Sequence, residues 1–201
     1  MPHYQALANR HDFRADRHRI ASYIGAVKPL FRHSDARAAL FAGALSLALL
    51  CGAWFFQYGL GYAPCIMCFW QRYAHMAIIG IAVAVILARA AFGADKGLPK
   101  WLGPALLVAA LLGSAGLGGF HVGVEFGWWE GPKACAAANI SELSAINPDD
   151  PLAFLSEPLG PIACSDVVWS FLGLSMAGWN ALVSLLGAIG TAYLGFRSKP
   201  A

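Results

Sequence analysis

Four apolar runs, near Ala38–Tyr58, Ile66–Ala91, Trp101–Val122 and Ser170–Phe196, limit what this 201-residue chain can fold into. A hydrocarbon core about 30 Å thick is crossed by roughly 20 helical residues rising about 1.5 Å each, and each run is long enough to do so. With 58% hydrophobic and 12% charged residues and a mean hydropathy of +0.56, the composition excludes an ordinary soluble domain. The expected fold class is therefore an all-α membrane protein, a four-transmembrane-helix bundle. The first run is read as a retained span, because residues 1–37 precede it and its apolar stretch outlasts a usual signal-peptide core.

Basic residues beside spanning helices are retained on the cytoplasmic side, so their distribution orients the bundle. Arg10, Arg14, Arg17, Arg19, Lys28, Arg32 and Arg37 precede the first run, Arg89, Lys96 and Lys100 lie in or beside the second connection, and Arg197 and Lys199 follow the fourth run. The first connection, Gly59–Cys65, is uncharged, and the long one, 123–169, sets Lys133 against Glu125, Glu130, Glu142, Asp149, Asp150, Glu157 and Asp166. Both termini are thus expected in the cytoplasm and both of these connections outside. The expected organisation is a basic cytoplasmic arm at 1–37, a membrane domain at 38–196 with its outer loop at 123–169, and a short tail at 197–201. The arm suits anionic lipid rather than nucleic acid, and its His3, His11, His18 and His33 have no regular metal-ligand spacing. Ile20, Tyr23, Ile24, Val27 and Phe31 recur at helical spacing, which predicts an interfacial helix over Arg19–Phe31.

Four cysteines fall in the outer connections. Cys65 and Cys68 follow Pro64 at the mouth of the second run, and Cys135 and Cys164 lie in the long loop; Cys51, within the first run, reads as a small apolar residue. Thiols outside the cytoplasm tend to pair, so two disulfides or a relay of two dithiols fit this placement. At a helix N-terminus unpaired N–H groups and the positive end of the dipole lower a thiol pKa, which favours a redox role for Cys65 and Cys68 over a purely structural disulfide. Half of a zinc site is the other reading, but zinc takes about four ligands and no second Cys-x-x-Cys occurs; Phe69 stands where a c-type haem would need histidine. No metal is expected.

Arg72 lies four residues after Cys68, on the same helix face, inside a spanning run where a charge is costly and marks function by default. It is expected to stabilise a Cys68 thiolate and to donate to a ligand carbonyl; the alternative is a guanidinium that snorkels to the headgroups. A nicotinamide acceptor would need a folded binding domain, and Gly113, Gly116, Gly118 and Gly119 sit in a spanning run, where small residues serve helix packing. A lipid-soluble quinone is the expected acceptor, with Phe56, Phe69 and Trp70 as aromatic walls and Arg72, His121 and Gln57 available to its oxygens.

The run Ala63-Pro64-Cys65-Ile66-Met67-Cys68-Phe69-Trp70-Gln71-Arg72, the stretch Phe120-His121-Val122-Gly123-Val124-Glu125 ahead of Cys135, and Cys164 followed by Trp169-Ser170-Phe171-Leu172-Gly173-Leu174-Ser175-Met176 closely resemble the DsbB family of bacterial disulfide bond formation proteins. The resemblance runs from about Ala38 to Phe196 and leaves the basic arm outside. It implies a multi-pass enzyme of the bacterial inner membrane, a protein-dithiol:quinone oxidoreductase. Such an enzyme re-oxidises a periplasmic DsbA-like thioredoxin-fold partner and passes the electrons to ubiquinone or menaquinone. By position, Cys65 and Cys68 resemble the quinone-facing pair with Cys68 nearest the ring and Arg72 beside it, Cys135 and Cys164 the loop pair that exchanges with the partner, and His121 a histidine near the quinone; Gln57 is a further candidate contact. Two alternatives fit the pattern less well. A vitamin K epoxide reductase-like enzyme would carry its Cys-x-x-Cys on a late helix, and a non-enzymatic haem protein using His75 and His121 would need ligands at one depth, whereas His75 lies about 15 Å along the helix from Cys65. Within the long loop, Pro151-Leu152-Ala153-Phe154-Leu155 is expected either to dip into the interface or to pack on the bundle.

Overall fold

The computed structural model describes residues 33–92, 99–132 and 163–197. The expected interfacial helix over Arg19–Phe31, the apolar segment Pro151–Leu155 and Cys135 lie outside the described residues. Helix α1, Ser34–Trp54, runs on into a π-helical turn, Phe55–Gly59. Helices α2, Ile66–Phe92, and α3, Leu102–Glu125, follow; a two-stranded hairpin of β1, Ser170–Phe171, and β2, Leu174–Ser175, leads into α4, Met176–Phe196. All four long helices have the length and hydropathy to cross a membrane.

The helices pack through small residues. Ala39 and Ala42 of α1, Ile78 and Ala82 of α2, Leu107 and Leu111 of α3 and Ala188 of α4 form one buried cluster. Lipid tails are as apolar as leucine, so helices in a membrane associate through close packing rather than through withdrawal from water. Gly118 marks the closest approach of α3 and α4: a Cβ there would lie 2.9 Å from both the Ala177 carbonyl oxygen and the Ala181 nitrogen. Large apolar side chains such as Leu47, Leu87, Leu186 and Ile189 are turned outward instead, as a lipid-facing surface requires.

Two boundaries differ from the sequence reading, each for a local reason. Helix α1 starts at Ser34 rather than Ala38 because Asp35 is useful inside it: Oδ1 accepts from the Ala36 N–H at 3.0 Å, and the carboxylate pairs with Arg89 in the last turn of α2. Both partners are buried, and Arg89 lies within the second span as its expected bounds include it. Helix α4 starts at Met176 rather than Ser170. Leu172 and Gly173 take positive φ of 52° and 80°, the combination of a tight primed hairpin turn, and Ser170 pairs with Ser175 across it. Ser175 then caps α4, its Oγ accepting from the Gly178 N–H at 3.1 Å.

Candidate active site

Pro64 and Cys65 stand immediately before the first helical residue of α2, Ile66, and this places the Cys65 sulfur over the unpaired end of the helix. The Cys68 N–H donates to Cys65 Sγ at 3.3 Å, the contact an N-capping side chain makes, and the two Sγ atoms are 2.9 Å apart as free thiols. Cys65 is buried, which alone would raise its pKa. The Cys68 thiol donating to it outweighs that, and His121 adds to the effect, so Cys65 is held well below the usual thiol range. The lowered thiol is thus Cys65, at the helix mouth, while the sequence reading has Arg72 stabilise a thiolate on Cys68.

His121, on α3, ties this pair to the long loop. Its Nε2 lies 3.6 Å from Cys65 Sγ and 3.1 Å from the Cys164 carbonyl oxygen, and its Nδ1 is 2.9 Å from Gln71 Nε2. With the Gln71 amide donating to Nδ1, the Nε2–H is left to donate toward the sulfur and the carbonyl. Cys164 is buried and disulfide-bonded, and it packs with Cys65, Met67 and Val124. A small cavity of about 20 Å³ opens here, lined by Cys65, Cys68, His121, Glu125 and Asp166 among others. The sulfurs of Cys65 and Cys68 and a nitrogen of His121 come within 4.8 Å of one another, a donor set one ligand short of structural zinc.

Cys68 also faces a second, larger space of about 420 Å³, whose lining includes Gln57, Phe56, Arg72, His75, Trp169 and Asn180. The π-helical turn contributes to this wall: its i→i+5 geometry is widened, as in the Leu60 N–H to Phe55 carbonyl bond at 3.1 Å, and Gln57 lies within it. Arg72 donates through Nη1 to Gln57 Oε1 and through Nη2 to the Ala53 carbonyl at 3.3 Å, with its guanidinium 5.3 Å from the Phe69 ring. The arginine is thus turned into the bundle rather than toward headgroups. Among the aromatic walls expected from sequence, Phe56 lines the cavity, its ring 4.8 Å from that of Trp169. Phe69 and Trp70 do not line it, because the first and second positions after Cys68 point about 100° and 200° away from it around the helix. Trp169, Phe171 and Trp179, carried by the hairpin and the start of α4, form that wall instead.

Cys65, Cys68, Arg72, Gln57, His121 and Cys164 are therefore gathered at one end of the bundle. His121 lies by the Cys65 sulfur and the small cavity rather than in the lining of the large one. Gln71, Trp169 and Asn180 are site residues not singled out from sequence, and His75 is considered there only as a haem ligand. A signal for two of them was present: Cys68, Gln71, Arg72 and His75 follow the i, i+3, i+4, i+7 spacing of one helix face.

The family model for "Disulfide bond formation protein DsbB" matches residues 35–194. The disulfide bond formation protein B of Pasteurella multocida (strain Pm70) is 34% identical over 157 residues, covering 73% of this chain and 76% of that protein. Its counterpart in Xanthomonas axonopodis pv. citri (strain 306) is 33% identical over 177 residues, covering 81% and 92%. No solved structure matches this chain. A Cys-x-x-Cys at a helix mouth, a disulfide-bonded cysteine against it, four helices long and apolar enough to span a membrane and these similarities agree: the chain belongs to the DsbB family, the oxidoreductases of disulfide bond formation in the bacterial inner membrane.

Proposed function

We propose that this protein is a protein-dithiol:quinone oxidoreductase that re-oxidises a DsbA-like thioredoxin-fold partner in the periplasm, with its cysteine end on the periplasmic side and both termini in the cytoplasm. The observation that carries this reading is the position of Cys68, which borders both the cluster of Cys65, His121 and Cys164 and the cavity containing Arg72 and Gln57. Sulfur exchange on one side and a membrane-accessible acceptor on the other meet at one atom.

Electrons enter through the loop. A thiolate of the reduced partner attacks the Cys135–Cys164 disulfide, the resulting mixed disulfide resolves to oxidised partner, and the loop is left as a dithiol. That dithiol reduces Cys65–Cys68 by a second exchange, so each transfer moves two electrons and conserves sulfur–sulfur bonds. His121 bears on this step because its Nε2–H reaches both the Cys65 sulfur and the Cys164 carbonyl, steadying an anionic Cys65 as the reduced pair forms. The Cys65 thiolate is then placed to close the Cys65–Cys68 disulfide again as Cys68 gives up its electrons toward the cavity.

The cavity suits a quinone ring: it is walled by Phe56 and Trp169, and Arg72, fixed by Gln57 and the Ala53 carbonyl, offers a donor to a carbonyl oxygen. A quinone bound there, ubiquinone or menaquinone, supplies a sink for two electrons and two protons. A strong sink is required, since DsbA-type partners are themselves oxidising at about −120 mV and each 30 mV of a two-electron couple is about 1.4 kcal/mol. The decisive experiment is Cys68→Ser with reduced partner protein as donor: quinone reduction is expected to stop, and unchanged turnover would remove Cys68 from the route. Trapping a mixed disulfide through the loop in cells and identifying the attached protein tests the partner.

A further inference from the structure

The deep end of the large cavity carries polar groups that the thiol chemistry does not use. His75 lies two turns beyond Cys68 on the same face of α2, about 10 Å further along the helix at its usual rise. It is 3% exposed and meets all three other helices: Nδ1 lies 3.2 Å from Ser46 Oγ on α1, and Nε2 lies 2.7 Å from Asn180 Oδ1 on α4 and 3.3 Å from Ser114 Oγ on α3. Ser114 in turn meets Ser184 Oγ at 3.2 Å. His75 and Asn180 both line the cavity that contains Cys68, Arg72 and Gln57.

Hydrogen-bond accounting separates the two residues. Asn180 Oδ1 can only accept, so His75 donates through Nε2–H, and Nδ1 then accepts from the Ser46 hydroxyl; the imidazole's two positions are filled. The Asn180 amide nitrogen has two hydrogens, and its contacts to Ser114, through the carbonyl oxygen and Oγ, are both 3.5 Å, at the outer limit for a hydrogen bond. Polar contacts between membrane helices explain the His75, Ser114 and Ser184 links. They leave the Asn180 amide with donor capacity to spare on the wall of a cavity that is otherwise largely apolar, and in such a setting an unmade hydrogen bond is costly.

We propose that Asn180, held in orientation by His75, donates a hydrogen bond to the second carbonyl oxygen of the quinone whose first carbonyl is met by Arg72. This rests on the quinone reading above and deepens it. The two oxygens of a para-quinone lie on opposite edges of the ring, so gripping both requires two separate donors, and Arg72 and Asn180 both line this one cavity. Both oxygens gain negative charge and a proton on reduction, and a fixed donor at each favours the reduced ring over the oxidised one. Asn180 is then a ligand-binding residue, and His75 a positioning residue that acts through it.

The test uses the full-length protein in detergent with decyl-ubiquinone carrying an isotopic label on one ring carbonyl carbon at a time, read by infrared difference spectroscopy and by binding titration. In the wild type both carbonyl bands are expected at lower frequency than in apolar solvent. Asn180→Leu should return one band to its solvent position, leave the other displaced, and raise the dissociation constant about three- to tenfold, the range for one neutral hydrogen bond. Arg72→Ala should release the opposite band. His75→Leu should disturb the Asn180-dependent band, and His75→Gln, which keeps a donor toward Oδ1, should preserve it. A single displaced carbonyl in the wild type overturns the proposal without any variant, as does an Asn180→Leu protein that binds with both bands unmoved. Absence of saturable decyl-ubiquinone binding in the wild type would overturn the quinone reading itself, and this subsite with it.

Discussion

Asp35→Leu should be among the most destabilising single changes in the bundle, although Asp35, on α1, meets α2 at the end opposite the thiols. Its carboxylate is 2% exposed and pairs with Arg89, itself 8% exposed. Taking two charges out of water costs several kcal/mol per ion, and their attraction recovers this only while both are present. Deleting one partner removes the other's buried counter-ion, at about 3–5 kcal/mol. Arg89 sits in the last turn of α2, where a long side chain can extend toward the headgroups, so the lower part of that range, about 3 kcal/mol, is expected. Loss of the Ala36 N–H acceptor adds about 1 kcal/mol. Against a total stability of about 5–15 kcal/mol this is a large fraction. Arg89→Met alone should cost a similar amount, whereas the double variant, with no charge left to bury, should return to within about 1 kcal/mol of the wild type or exceed it. Unfolding in mixed micelles, followed by circular dichroism against the mole fraction of denaturing detergent, gives the four stabilities of the cycle. A cost below about 1 kcal/mol for Asp35→Leu, or a double variant as unstable as either single one, would refute the reasoning.

Three further outcomes follow from the site and its packing. Because the Cys65 pKa is lowered, its thiolate persists as pH falls below neutrality and disappears only on passing the folded-state value; alkylation of the reduced protein at Cys65 should therefore stay fast at mildly acidic pH, and His121→Ala should move its midpoint upward. A midpoint in the ordinary thiol range for the wild type would contradict this. Arg72→Ala should raise the quinone KM about tenfold or more, the scale of one hydrogen bond from a charged donor, with little change in unfolding; equal quinone KM in the two proteins would count against the assigned role. Gly118→Ala should cost about 1–3 kcal/mol, since its new methyl meets the α4 backbone at 2.9 Å and backbone cannot rotate aside. Micelle unfolding identical to the wild type would show that α3 and α4 can part without loss.

Much of the site was legible because its chemistry is local. Cys65, Cys68 and Arg72 belong to one helix mouth, where the four-residue spacing of Cys68 and Arg72 sets their shared face. The four spans were legible for a similar reason, since a run of about 20 apolar residues has few other uses. The partner of Arg89 was not legible, because a charge near the end of an apolar run looks the same whether it faces headgroups or a buried carboxylate; only the packing of α1 against α2 brings Asp35 to it. The start of α4 was misjudged because an apolar run does not reveal that Leu172 and Gly173 turn back on themselves.

Lipid-crossing segments, the thiol pair at a helix entrance and the arginine one turn below it were thus dictated by the order of residues, because hydropathy and helical periodicity act over short distances along the chain. Which cavity each group faces was decided only by the assembled bundle. His121 reaches the Cys65 sulfur from α3, Trp169 supplies the wall that Phe69 and Trp70 do not, and Asn180 meets His75 from α4, more than a hundred positions away. Contacts between helices depend on their rotation and depth, which are set by close packing at small residues such as Gly118, and no local pattern in the chain encodes those two quantities.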